Sequence, residues 1–112
     1  MKHVPVTFRL NAAQDLDVDP PRPRVHPGDT IGWTCPDGAI TVSFDTSVAF
    51  EPSAGATSLS HKPTFQAAKG GHTEKVKISL DVPLNQFFEC HVTLDGRPMH
   101  VTYGFDTSGS GG

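Results

Sequence analysis

The strongest constraint on this chain is the strict two-residue alternation at its C-terminal end. Phe88, Cys90, Val92 and Leu94 share one phase, and Glu89, His91 and Thr93 share the other. Side chains on a strand alternate between its two faces, so this spacing predicts a strand with one buried side. Asp95-Gly96 follows at once, and that pair favours a tight hairpin turn. Met99, Val101, Tyr103 and Phe105 then supply a matching apolar phase for the returning strand. A slip of one residue would bury Glu89, His91 and His100, so the pattern fixes which side faces the core. A two-residue loop pairs Leu94 with Arg97 and hence His91 with His100; a four-residue loop makes the two imidazoles diagonal neighbours.

The same period recurs upstream. Val4, Val6, Phe8 and Leu10 predict a first strand, and a short edge strand is expected around Leu16 to Val18. Arg24 to His26 is brief and ends at the turn Pro27-Gly28-Asp29. Ile31, Trp33 and Cys35 share a face before the turn Pro36-Asp37-Gly38. Ile40, Val42 and Phe44 form the next apolar phase, and Val76, Ile78 and Leu80 another. Residues 45–73 show no sustained period. So long a segment reads either as a functional loop or as one holding short strands. No amphipathic helical pattern or internal repeat is present. Short strands broken by turns, with 11 Gly and 10 Pro in 112 residues, indicate a two-sheet sandwich. Residues 1–107 form one domain. Residues 108–112 (Ser-Gly-Ser-Gly-Gly) read as a flexible tail.

Within this pattern, "VHPGDTIGWTC", the turn "PDG", the strand "ITVSF" and the closing "FFECH" resemble the cupredoxin (plastocyanin/azurin-like) family. The likeness spans roughly Val25 to Phe44 and Glu74 to Phe105. It implies an all-β, cupredoxin-like Greek-key sandwich of about seven or eight strands. For copper-binding members it also implies a His opening the strand after the first turn, then a Cys, a His and usually a Met from one late loop. Imidazole and thiolate hold copper in trigonal geometry with a weak axial thioether.

The ligand positions are degenerate. Ala39-Ile40 stand where the first His is expected, and no His occurs from Pro36 to Ser60. Cys90 matches the Cys by order, but His91 follows it directly, and neighbours on a strand face opposite ways. Met99 falls in the return strand. The expected function is therefore a non-catalytic binding or accessory module without copper, acting on an unknown protein or small ligand. The alternative is a mononuclear copper electron-transfer protein using Cys90, His91, Met99 and His100 as an atypical ligand set. His91 and His100 alone supply two ligands, fewer than a stable site generally needs.

Cys35 and Cys90 fall on inward phases. They read first as buried free thiols, with a Cys35–Cys90 disulfide as the alternative. The stretch from His61 to Lys77 is locally basic on a chain of net charge -3. His61, Lys62, Lys69 and His72 are candidates for a partner surface; the competing reading is a solvated loop with edge-protecting lysines. Nucleophile elbows, His-Glu-x-x-His motifs, P-loops and dinucleotide fingerprints are absent from the sequence, so no enzyme is expected. The charge carries no nucleic-acid footprint. No apolar run is long enough to span a bilayer, so no membrane insertion is expected. The N-terminus lacks the apolar core of a signal peptide. That is consistent with a cytoplasmic protein if the chain is complete, and a periplasmic or secreted one if a leader was removed.

Overall fold

Most of the alternating runs are strands in the computed structural model, which describes residues 2–45, 49–50, 63–99 and 102–108. The first sheet is built from β1 (His3–Leu10), β2 (Leu16–Asp19), β4 (Thr30–Thr34) and β7 (Val76–Lys77). Its order is β2-β1-β4-β7. The second contains β3 (Arg24–Val25), β5 (Ile40–Phe44), β6 (Thr64–Ala67), β8 (Phe87–Leu94) and β10 (Tyr103–Thr107), in the order β3-β10-β8-β5-β6. The short β9 (Arg97–Pro98) pairs with β8. Both sheets are mixed: β1 lies parallel to β4, and β3 parallel to β10, while the other pairs are antiparallel. No helix occurs among the described residues.

The apolar phases of the two sheets meet in one hydrophobic cluster. Trp33 lies at its centre, stacked on Phe65 with ring centroids 5.5 Å apart and tilted against Phe44 at 5.7 Å. Phe44 in turn meets Phe50 and Phe105. Tyr103 bridges the sheets: its hydroxyl donates to the Leu16 carbonyl at 2.8 Å, while the Leu16 amide donates back to it at 3.2 Å. A buried phenol needs such partners, because an unpaired polar group inside the core is costly.

Turn chemistry explains the chain reversals. His26-Pro27-Gly28-Asp29 is closed by the Asp29 amide donating to the His26 carbonyl at 3.0 Å. Proline presets the first central position, and Gly28 takes the second at φ 87°. Asp29 is buried beneath this turn, and its carboxylate accepts the amides of Lys2 at 3.1 Å and His26 at 3.0 Å. Asp95 and Gly96 both take positive φ, at 52° and 82°, the geometry of a tight hairpin turn.

One open reading is resolved and two details differ from the sequence reading. The segment 45–73 holds a short strand, β6, as one of its two readings allowed, and Phe50 bridges to Ile78 and His72 to Thr34. β6 escapes the periodicity because only Phe65 and Ala67 mark its buried phase. Leu80 does not continue the buried face of Val76 and Ile78; it is 64% exposed. The Val82 amide donates to the Ser79 carbonyl there, so the chain turns and buries Val82 in its place. The closing hairpin changes register. Leu94 pairs with Arg97 as a two-residue loop requires, yet Cys90 pairs with Tyr103 rather than with the residue that unbroken pairing would give. Two residues are thus inserted in the return strand between Pro98 and Tyr103. His91–His100 pairing is not a consequence of the Leu94–Arg97 register, and His100 itself lies outside the described residues. The insertion is even, so Tyr103 and Phe105 keep the buried phase.

Candidate functional site

The sequence candidates separate when placed on the fold. Cys90 is buried in the middle of β8, between Phe44 on β5 and Tyr103 on β10. Burial, with a smaller contribution from Glu89, pushes its thiol up to about 12. Such a thiol does not readily form the thiolate that binds metals or acts as a nucleophile. His91 points to the opposite face, where its Nε2 lies 3.2 Å from Asp45 Oδ2. Met99 is partly buried against the core, and its amide donates to the Val92 carbonyl. Cys90 and His91 therefore do not converge, and these residues do not fit a trigonal copper set. Where the first copper ligand would stand, the Ala39 amide instead donates to Asp95 Oδ1 at 2.9 Å, and the Asp95 amide donates to the Ala39 carbonyl. Cys35 and Cys90 are both buried free thiols, so the alternative bridge is not formed here. No group of three or more His, Cys, Asp or Glu side chains suited to a metal ion occurs among the described residues.

The proposed partner surface also divides. His61 and Lys62 lie outside the described residues. Lys69 is exposed beside the turn at Gly70. His72 belongs instead to a cleft on the outer face of the first sheet.

The cleft follows from pairing. Parallel register sets His3 beside Thr30, Pro5 beside Gly32 and Thr7 beside Thr34. These positions share the phase that points away from the core. On the other side of β4, Lys77 pairs with Thr30 and Val76 with Ile31, and Lys75, just before β7, lines the hollow with Gly32. Gly32 thus interrupts a ridge of side chains, leaving a hollow of about 290 Å³. Gly32 forms its floor and Pro5 an apolar wall; His3, His72 and Lys75 are the ionisable groups around it. A Cβ on Gly32 would lie 3.3 Å from His3 Cε1 and 3.6 Å from Thr73 Oγ1.

The walls are anchored. The Trp33 amide donates to Thr73 Oγ1 at 3.0 Å, and the Thr73 amide donates to the Trp33 carbonyl at 2.9 Å. The Thr34 hydroxyl donates to the Gly71 carbonyl. Residues 71–73 are thereby stitched along β4. Across the hollow, His3 Nδ1 and Thr30 Oγ1 are hydrogen-bonded at 2.8 Å, which orients the imidazole. The His3 pKa is lowered by partial burial and by the nearby Lys75 and His72 charges. Among the described residues, no Asp or Glu lines the hollow. The arrangement can hold a small ligand over Gly32 and Pro5, beside the Lys75 ammonium and two imidazoles.

In comparisons with known proteins, the chain matches no protein-family model and no curated protein sequence at a significant level.

Proposed function

We propose that the chain is a copper-free, cupredoxin-like binding module that holds a small ligand in the cleft over Gly32, without catalysing a reaction on it. The carrying observation is the hollow itself: one missing side chain in an otherwise continuous outer face, with anchored walls on both sides. Its volume of about 290 Å³ falls just below the usual range for drug-sized sites, roughly 300 to 1,000 Å³, and suits a smaller ligand. The family assignment is supported by the two-sheet sandwich and by the position of the Pro27-Gly28-Asp29 turn, which feeds the Trp-bearing β4. The opposed directions of Cys90 and His91 weigh against the copper-protein alternative.

Filling the hollow tests the proposal. Gly32 is not at a positive φ, and the nearest atom to an added methyl belongs to the His3 side chain, so Gly32→Ala is expected to fold. A library of small fragments is screened by ligand-observed NMR against both proteins. Binders of the parent should lose most of their signal with Gly32→Ala. A hit set that binds both proteins equally would refute the cleft as the binding site.

A further inference from the structure

We infer that the cleft over Gly32 selects small organic carboxylates: an apolar body against Gly32 and Pro5, and the carboxylate toward Lys75, His72 and His3. This rests on the cleft being the binding site and adds the chemical class of its ligand.

Three independent features lead to this class. The hollow is small and Pro5 gives it an apolar wall, which favours a compact ligand body over an extended chain. Its ionisable side chains are a lysine and two histidines, with no carboxylate among the described lining residues, although the chain as a whole is acidic. An anion is therefore the missing countercharge. These side chains also come from separate elements, His3 from β1 and His72 and Lys75 from the connection into β7, so they surround the hollow instead of forming one exposed stripe. A lysine head is a strong donor to carboxylate oxygens, and such charge-assisted bonds are about twice as strong as neutral ones.

The groups facing His3 set the pH response. They are Lys75 and His72 from the connection; Lys77 on β7 pairs with Thr30 of β4, on the side away from His3. Glu74 contributes its backbone carbonyl near Gly32, and its side chain is exposed. β4 presents only Thr30, Gly32 and Thr34, none of which titrates. A bound carboxylate offsets the Lys75 charge, one of the causes that lower the His3 pKa, and so favours protonated His3. The His3 pKa should rise on binding, and affinity should increase as pH falls through the neutral range.

Benzoate and its neutral isostere benzamide provide the test. Binding is followed by amide shifts of Gly32, Thr34 and Thr73, and the His3 ring proton is titrated with pH in the presence and absence of ligand. Benzoate should bind about tenfold more tightly than benzamide, the factor expected of one charge-assisted contact. Lys75→Gln should remove that preference, and Lys75→Arg should largely restore it. Since Lys75 is exposed, neither substitution should perturb folding. Equal binding of benzoate and benzamide in the cleft would overturn carboxylate selection while leaving the binding cleft intact. Binding of neither ligand there would overturn the carboxylate inference, and the fragment screen with Gly32→Ala decides the cleft separately.

Discussion

Replacing Trp33 with alanine should come close to unfolding the protein. The ring is 2% exposed, stacks on Phe65 and touches Phe44, so its loss empties the junction between the sheets. A buried Trp hides about 150–250 Å², and at roughly 25 cal/mol per Å² that is worth about 4–6 kcal/mol. The figure is an upper estimate, because the unfolded chain already hides some apolar surface. Trp-to-Ala changes in cores generally cost about 3–5 kcal/mol, a large part of the roughly 5–15 kcal/mol that holds a small domain together. With a urea slope of about 1–3 kcal/mol per molar, the midpoint should fall by about 2 M. Trp33 is the only tryptophan, so unfolding must be followed by far-UV circular dichroism and not by indole fluorescence. Trp33→Phe keeps an aromatic ring in the junction and should lose less than half as much. A midpoint shift below about 0.5 M for Trp33→Ala would mean that the ring contributes little, and that the sheet-to-sheet core is misassigned.

Two other substitutions test separate parts of the account. Burial raises the pKa of Asp29, but the amides of His26 and Lys2 and the His26 side chain outweigh this, so its carboxyl titrates below the ordinary 3.8. Its stabilising effect should be complete above that value and fade as pH falls through the lower folded value. Asp29→Asn places an amide donor against a backbone donor, which should cost about 1.5–3 kcal/mol at pH 7 and flatten the acid limb of stability. Equal urea midpoints for parent and variant at pH 7 would contradict this. For Cys90, adding Cu(II) to the reduced protein should give no stoichiometric, intense visible band, because the thiol is buried and its neighbour His91 faces away. A saturable one-to-one band that disappears in Cys90→Ser would establish a copper site there.

The buried faces were legible in the sequence because alternation is a local signal. Val4, Val6 and Phe8, then Ile31 and Trp33, then Phe88, Cys90, Val92 and Leu94 all face the core as their spacing predicts. The turns were legible too, since Pro27-Gly28 and Asp95-Gly96 have residues whose backbone preferences fit the observed φ values. Leu80 misled because a period says nothing about where a strand stops; the Ser79–Val82 turn ends it first. The register change after Pro98 was hidden because an even insertion leaves the alternation undisturbed. The cleft was illegible for a different reason. It depends on His3, Gly32 and Lys75 being neighbours, and that depends on parallel pairing of β1 with β4 and antiparallel pairing of β4 with β7. No spacing within a single segment encodes that juxtaposition. The one available signal was Gly32 itself, since a glycine inside a strand often marks the close approach of a ligand or another backbone.

The central claim is that ligands meet this protein on the outer face of the four-stranded sheet, not at Cys90. Amide shift mapping of the uniformly labelled protein during titration with the fragment hits tests it most directly. The largest changes should fall at Gly32, Thr34, Thr73 and Lys75, with Cys90 and its partners Phe44 and Tyr103 nearly unmoved. The largest changes around Cys90, Phe44 and Tyr103, with Gly32 unmoved, would contradict it.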